Sequence, residues 1–295
     1  MDWTFGGRFP FVPHFAEIGA GLQMHYVDEG KGEPILFLHG NPTWSFLYRN
    51  ILPSVVGAGF RAIAPDYIGF GRSDKRGPRW TDYTIHGHIA DLTALADRLD
   101  LRDVTVVVHD WGGPIGLGWA AGHLDRVKRL VILNTWAFKP HAKAKIPPFL
   151  AMLREPKGEG MVLNQNFFVE VLLPGGIASK QRVKEVMDAY RAPFPTPESR
   201  AGVLAFPRLI PMASGEEAWP VIVKVDDSLG KIADRPALIL WGGRDLVFPV
   251  SVAERFQERL PSAKKVVFPE AGHFLQEDVP EGIAKEMVAF LRSTP

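Results

Sequence analysis

A glycine-rich turn in the first half of the chain presents an aspartate in a position suited to nucleophilic chemistry. The β-branched run at 104–108 predicts a buried strand, which ends in His-Asp-Trp-Gly-Gly and is followed by a helix-like segment at 114–122. A strand, a sharp turn and a helix form a nucleophile elbow, and Asp110 is the residue at its tip. A carboxylate there would form an ester that water can cleave, whereas a serine attacking a saturated carbon would leave a stable ether.

Two further residues could complete a triad with Asp110. Asp245, in Leu-Trp-Gly-Gly-Arg-Asp, and His273, in Pro-Glu-Ala-Gly-His-Phe, each lie just beyond a predicted strand. Side chains after strand ends reach the active edge of an open sheet, and the order nucleophile, acid, base is that of α/β-hydrolases. An isolated Asp or His in a loop is most often structural. Three residues placed in this way predict Asp110 as nucleophile, His273 as base and Asp245 as the acid partner of the base.

Asn41 and Trp111 are candidates for stabilising a leaving group. Asn41 follows a predicted strand in Leu-His-Gly-Asn-Pro, and Trp111 follows the nucleophile. Each offers a neutral side-chain N–H donor, and neither adds a fixed cation that would pair with Asp110. Two such donors suit a departing halide. Each residue taken alone also has a structural explanation, core packing for Trp111 and a turn before Pro42 for Asn41.

The elements that must hold these residues alternate along the chain. Strands are predicted at 23–28, 35–39, 61–65, 104–109, 129–134, 237–241 and 264–268, and helices at 45–56, 84–99, 114–122, 250–260 and 280–291. Strand signals vanish between 136 and 214, where helices are predicted at 147–153, 164–172 and 179–190. The pattern predicts a mostly parallel sheet flanked by helices, with core segments 1–135 and 215–295 and an inserted helical cap at 136–214.

Composition narrows the classes of function. The 34 basic and 33 acidic residues give a formal net charge of +1, which provides no electrostatic reason to propose nucleic acid or a membrane as partner. The chain has no cysteine, which excludes disulfides, thiolate zinc sites and cysteine nucleophiles. The first residues lack the basic start and apolar core of a signal peptide, so a cytoplasmic enzyme is expected.

With these residues together, the chain resembles a haloalkane dehalogenase of the α/β-hydrolase superfamily. The resemblance is strongest at 39–50, 66–74, 108–113 and 272–274, of which the 66–74 stretch is shared with epoxide hydrolases. One branch of the family carries a Glu after the strand that ends here at 133–136, where this chain has no carboxylate. Asp245 with Asn41 and Trp111 resembles the branch that combines an aspartate acid with an Asn–Trp halide site.

The resemblance implies a two-step reaction that needs no metal or organic cofactor. Asp110 would displace halide from a small uncharged haloalkane, and His273, oriented by Asp245, would activate water to cleave the ester. The backbone N–H groups of Asn41 and Trp111 would form the oxyanion hole. Aromatic residues that could line the substrate pocket are Trp136, Phe138, Phe149, Phe168 and Phe206, although aromatics at helical spacing more often serve packing.

Other functions fit part of the pattern. An epoxide hydrolase shares the aspartate nucleophile but usually adds two cap tyrosines and an aromatic residue in the oxyanion loop, whereas here Tyr190 alone falls in the cap and the loop carries Asn41. A fluoroacetate dehalogenase would be expected to carry Arg where Trp111 stands. A coelenterazine-type luciferase resembles the branch with the missing Glu. A hydrolase-like receptor that has lost catalysis is the non-enzymatic alternative.

Overall fold

In the residues that the structure describes, eight strands form one sheet through the centre of the protein. The computed structural model describes residues 2–139 and 146–294. The strands are β1 (His14–Glu17), β2 (Gln23–Glu29), β3 (Pro34–Leu38), β4 (Arg61–Pro65), β5 (Val104–Asp110), β6 (Val127–Thr135), β7 (Ala237–Gly242) and β8 (Lys264–Phe268). Their order in space is β1-β2-β4-β3-β5-β6-β7-β8. β2 is antiparallel to β1 and β4, and the other pairs are parallel.

The predicted α/β architecture with a mostly parallel sheet is confirmed. Every strand predicted from the sequence is present, with its ends moved by at most two residues. The clearest case is β5, in which all residues are buried, as a β-branched run in the middle of a parallel sheet should be. The prediction missed β1, because this short edge strand is mostly solvent-accessible and carries no apolar run.

Helices flank the sheet and fill the segment between β6 and β7. They are α1 (Leu52–Gly57), α2 (Ile85–Arg98), α3 (Gly112–Gly122), α4 (Pro148–Arg154), α5 (Pro156–Gln165), α6 (Leu173–Gly176), α7 (Lys180–Arg191), α8 (Ala201–Arg208), α9 (Trp219–Ser228), α10 (Val250–Arg259), α11 (Leu275–Asp278) and α12 (Pro280–Ser293). Helices α4 to α8 lie where the cap is predicted, and the bounds 136–214 stay a prediction. In the described part of the chain, no helix combines the length and apolar character needed to span a bilayer.

Two predicted helices are wrong as single elements. The segment 45–56 is a 3-10 turn (Ser45–Tyr48) followed by α1, because Pro53 is tolerated only in the first turn of a helix. The segment 164–172 contains the end of α5, where Asn166 adopts a left-handed conformation that stops the helix, and then a π-helical turn at Phe168–Leu172. The sequence also does not predict α8, since its residues are almost all buried and show no amphipathic spacing.

Candidate active site

The elbow between β5 and α3 holds Asp110 in a strained and closely packed turn. Its φ of 49° lies in the left-handed region, which residues other than glycine occupy at an energetic cost. Glycines surround it, because a Cβ at Gly40 would lie 2.1 Å from Asp110 Oδ1 and one at Gly112 would lie 2.3 Å from the Leu38 carbonyl oxygen. The hydroxyl of Thr135, at the end of β6, donates to the Asp110 carbonyl oxygen. The strands on both sides of β5 therefore hold the turn.

The two oxygens of the Asp110 carboxylate have different neighbours. Oδ1 accepts a 2.7 Å hydrogen bond from the backbone N–H of Asn41, whereas Oδ2 lies 3.7 Å from Nε2 of His273. Burial raises the pKa of Asp110, while the charge of His273 and the backbone N–H groups of Asn41 and Trp111 oppose part of this shift. The backbone groups predicted to form an oxyanion hole therefore lie beside the carboxylate and favour its charged form.

His273 has the geometry of a general base. Its Nδ1 lies 2.9 Å from Oδ2 of Asp245. Because an ionised carboxylate only accepts hydrogen bonds, Nδ1 carries the proton in the neutral ring and Nε2, on the side of Asp110, has the lone pair. Burial lowers the pKa of His273, but the charge and hydrogen bond of Asp245 and the charge of Asp110 outweigh it, so the net pKa is raised above 6.5. The pair can therefore take up a proton and stabilise the resulting imidazolium.

Asp245 is itself fixed by donors on two sides. Its Oδ1 accepts hydrogen bonds from the backbone N–H groups of Val247 at 2.6 Å and Phe248 at 3.0 Å. Its Oδ2 accepts a 2.6 Å bond from Nδ2 of Asn134, and Oδ1 of Asn134 accepts a 2.7 Å bond from the N–H of Gly242. Asn134 thus links the ends of β6 and β7. The sequence did not reveal this positioning residue, since an Asn after a strand carries no distinctive signature.

His109 helps to hold the loop that carries His273. Its Nε2 donates a 2.9 Å hydrogen bond to the backbone carbonyl of His273, and the two rings lie 4.9 Å apart. Burial, with the charge of His273, lowers the pKa of His109 well below the usual value. The ring therefore stays neutral and positions the loop that carries the base. The one sequence signal for this positioning role is that His109 directly precedes Asp110.

The side chains of Asn41 and Trp111 face the same space as the Asp110 carboxylate. Nδ2 of Asn41 donates to the Val203 carbonyl oxygen at 3.1 Å. This bond fixes the orientation of the amide, because the flipped amide would place two acceptors together. An amide nitrogen carries two hydrogens, so one remains for a second acceptor. The structure therefore brings the two predicted donors together beside the nucleophile.

These residues form one end of an apolar cavity of about 670 Å³. We call Asp110, Asn41, Trp111 and His273 the cavity floor. The side chains that the helical insertion contributes include Phe149, Leu150, Phe168, Val171, Leu172 and Ile210, and we call these the cavity roof. A pocket with apolar walls and a few convergent polar groups is typical of a small-molecule site.

Four of the five aromatic residues predicted to line the pocket do so, namely Trp136, Phe138, Phe149 and Phe168. The prediction for Phe206 is wrong. Its ring is fully buried behind Trp111, with ring centroids 4.6 Å apart and an interplanar angle of 14°. Phe206 supports the indole instead of facing the cavity, because helical spacing alone does not show which side of a helix meets an internal space.

The floor combines the buried carboxylate of Asp110, a histidine that is hydrogen-bonded to a second carboxylate, and uncharged N–H donors. Such a set can displace a leaving group from a saturated carbon and then hydrolyse the ester that results. Over residues 2–139 and 146–294, no group of three or more His, Asp or Glu side chains could hold a metal ion.

Comparison with known proteins assigns this chain to a family. The model of the alpha/beta hydrolase fold matches residues 33–157 and 181–280. A cis-3-alkyl-4-alkyloxetan-2-one decarboxylase of Shewanella oneidensis is 38% identical, over 97% of this chain and 90% of the relative. Haloalkane dehalogenase 2 of Mycobacterium bovis is 36% identical, over 95% of each chain. The crystal structure of a haloalkane dehalogenase from Bradyrhizobium elkani superposes with a TM-score of 0.85 at 31% identity, covering 96% of this chain and 98% of the other. The chain therefore belongs to the alpha/beta-hydrolase fold family, and the resemblance to haloalkane dehalogenases that its motifs indicated is confirmed.

Proposed function

We propose that the protein hydrolyses haloalkanes to an alcohol and a halide through a covalent ester on Asp110. The proposal rests on one observation, namely that the Asp110 carboxylate and the side-chain donors of Asn41 and Trp111 lie on the same cavity floor. Neutral donors can stabilise a departing halide without neutralising the nucleophile. The haloalkane dehalogenases among the relatives support the same chemistry for this chain.

In the first step, Oδ2 of Asp110 attacks the carbon that bears the halogen. Oδ1 is held by the backbone N–H of Asn41 at 2.7 Å, which orients the carboxylate. The carbon–halogen bond breaks as the ester bond forms, and the halide leaves towards the amide of Asn41 and the indole of Trp111. The apolar roof keeps water away from the carboxylate, which strengthens its attack.

In the second step, water cleaves the ester. His273 takes a proton from water through Nε2, which lies 3.7 Å from Asp110 Oδ2, and the hydroxide attacks Cγ of Asp110. Charge then develops on Oδ1, where the backbone N–H groups of Asn41 and Trp111 stabilise it. Collapse of this intermediate expels the alkoxide, which takes the proton from the His273 imidazolium and leaves as the alcohol. The carboxylic acid that remains on Asp110 loses its proton and becomes the carboxylate again, and Asp245 stabilises the imidazolium while it exists.

Epoxide hydrolysis fits the site less well. That reaction needs a proton donor for the epoxide oxygen, and the predicted cap contains a single tyrosine. The hydroxyl of Tyr190 is buried and donates to Glu277 at 2.5 Å. Within the described ranges, no tyrosine lines the cavity.

Decarboxylation of a strained lactone is a second candidate, favoured by the relatives of 36–38% identity that carry this activity in their names. Asp110 would displace the ring oxygen at the saturated ring carbon and free a carboxylate. Loss of carbon dioxide would then expel Asp110 and leave an alkene, with no water consumed. In this scheme His273 is needed as a base for dehalogenation but not for decarboxylation. A variant of His273 would therefore distinguish the two reactions.

Product analysis decides between these functions. The enzyme is assayed with 1-bromohexane and 1-chlorohexane for halide, with styrene oxide for diol, and with a cis-3,4-dialkyl-oxetan-2-one for alkene and carbon dioxide. We expect bromide and hexanol in equal amounts. Alkene without halide would favour the decarboxylase, and turnover of none of these compounds would favour the non-catalytic receptor.

A trapping experiment tests the ester. His273→Gln should stall after one turnover with 1-bromohexane, so the intact protein gains the mass of one hexyl group. His86→Gln serves as the matched control, because His86 is exposed on α2, and it should turn over without accumulating this mass. Normal turnover by His273→Gln would show that His273 is not the base.

A further inference from the structure

The cavity is much larger than the reacting end of a haloalkane. Its volume of about 670 Å³ lies within the range of about 300–1,000 Å³ typical of pockets that hold a whole small molecule. Val171, Met212 and Leu246 line it and are also exposed large apolar side chains, 50%, 37% and 82% accessible. Exposed apolar side chains that line a cavity are typical of a binding surface. The cavity and its mouth thus suit a long alkyl chain.

One wall of the cavity carries an arginine. Arg255 lies on α10, one helical turn after Ser251 and Val252, and these three side chains share the face of the helix that lines the cavity. The Cζ atom of Arg255 lies 4.0 Å from the centroid of the Phe138 ring, which also lines the cavity. Stacking on an aromatic face holds a guanidinium in place and leaves its N–H groups available at the edges.

Arg255 makes one long ion pair and no hydrogen bond with the residues that the structure describes. Its nearest carboxylate, on Asp226, is 3.9 Å away, which is too long for a hydrogen bond, and that carboxylate accepts a 2.9 Å bond from Arg259 instead. A guanidinium offers five N–H donors in a planar fork that matches a carboxylate.

The other charges on the described wall have the same sign. Lys139 and Arg244 also line the cavity, and their partners, Asp227 and Glu270, lie outside it. Apart from the nucleophile Asp110, the described lining contains no carboxylate. An anionic group beside Arg255 would therefore meet cations on the described wall, and among the described residues Asp226, 3.9 Å from Arg255, is the acid that competes for it.

We propose that the substrate is a long haloalkane whose far end carries a carboxylate, and that Arg255 binds this carboxylate while the halogen-bearing carbon reaches Asp110. The proposal rests on the proposed dehalogenation. It agrees with the neutral donors on the floor, because the reacting end remains uncharged and the carboxylate is bound by Arg255, whose side chain is 35% accessible. The specificity of the enzyme would then be for ω-haloalkanoates over unsubstituted haloalkanes.

The test compares substrates that differ only in the terminal group. The value of kcat/KM for bromide release is measured with 8-bromooctanoate, its methyl ester and 1-bromooctane. We expect the acid to be preferred, and the ratio of acid to alkane to fall at least about tenfold in Arg255→Gln, the loss expected for one hydrogen-bonded charge pair. Arg255→Lys should recover part of the ratio, and raising the salt concentration should weaken the preference of the wild type.

Arg102→Gln is the matched control, since Arg102 is 66% accessible, pairs with Asp100 and does not line the cavity. It should leave the ratio unchanged. An equal preference for acid and methyl ester, or an unchanged ratio in Arg255→Gln, would overturn the proposal even if bromide is released.

A binding measurement separates this proposal from the proposed function. Dodecanoate, which cannot react, is titrated into the wild type and both variants by calorimetry. We expect binding that weakens about tenfold or more in Arg255→Gln and not in Arg102→Gln. Binding with this pattern in a protein that releases no halide would contradict dehalogenation and leave carboxylate recognition standing. No binding of dodecanoate to the wild type would contradict carboxylate recognition.

Discussion

The floor and the roof of the cavity are held together by different forces. On the floor, directional bonds fix the reacting groups, with 2.7 Å between the Asn41 N–H and Asp110 Oδ1 and 2.9 Å between His273 Nδ1 and Asp245 Oδ2. The roof consists of apolar side chains from the helical insertion. Hydrogen bonds tolerate little displacement, whereas apolar packing accepts changes of shape at modest cost. We infer that the floor determines the reaction and the roof selects the substrate.

The largest effect should come from the nucleophile. Asp110→Asn removes the charge that attacks carbon, so halide release should fall by at least about 10⁴-fold, as removal of a covalent nucleophile does. Asp100→Asn is the control, since its side chain is 78% accessible and pairs with the neighbouring Arg102. Substantial halide release by Asp110→Asn would contradict the covalent mechanism and the division between floor and roof.

The next effect concerns the acid partner. The Asp245 carboxylate raises the pKa of His273, and His273 acts in its neutral form, so the wild-type rate should fall as the pH drops through a pKa above 6.5. Asp245→Asn should lower that pKa and move the acid limb of the kcat profile to lower pH. It should also reduce the plateau by about 10²- to 10⁴-fold, because the imidazolium loses its counter-charge. An acid limb at the wild-type pH would show that another group titrates.

Loss of one halide donor should cost less. Trp111→Phe keeps the stack on Phe206 but removes the indole N–H, and halide release should fall by about 10²-fold, the usual cost of removing one such donor. Chloroalkanes should lose more than bromoalkanes, since chloride is the poorer leaving group. Trp219→Phe, outside the cavity lining, should remain near the wild-type rate. Equal losses in the two variants would show that the indole N–H does not assist departure.

The smallest effect should come from the roof. Phe168→Leu removes an aromatic ring from the cavity lining, and the relative kcat/KM values for bromobutane and bromodecane should shift by up to about tenfold. The acid limb and the ratio of bromide to chloride release should stay at their wild-type values. A moved acid limb in Phe168→Leu would show that the roof also tunes the chemistry.

The contrast between floor and roof also explains how much of the site could be predicted from the sequence alone. The sequence could predict where the triad candidates lie, because each follows a predicted strand and the strands of a parallel sheet are recognisable by continuous apolar runs. These candidates are Asp110, Asp245 and His273. Asn134 and His109 were missed, since their roles depend on neighbours distant in sequence. Asn134 reaches Asp245 and Gly242, and His109 reaches the carbonyl of His273.

The cavity walls were harder to predict than the floor. Aromatic side chains such as the five candidates serve packing as well as pocket lining, and Phe206 proved to lie behind the site. Arg255 belongs to an amphipathic helix whose other arginine, Arg259, binds Asp226 and does not line the cavity, so the position of Arg255 on the wall required coordinates. A pattern of residues indicates that a helix is buried on one side but not which space that side meets.

The bridge that Asn134 makes between two strands also has an evolutionary consequence. Its amide nitrogen lies 2.6 Å from the carboxylate of Asp245, so a carboxylate at position 134 would stand beside the one it could replace. Two buried carboxylates so close together repel each other, and Glu at 134 would also remove the N–H donor that fixes Asp245. The acid of the triad could therefore move from one strand to its neighbour only if both positions changed together.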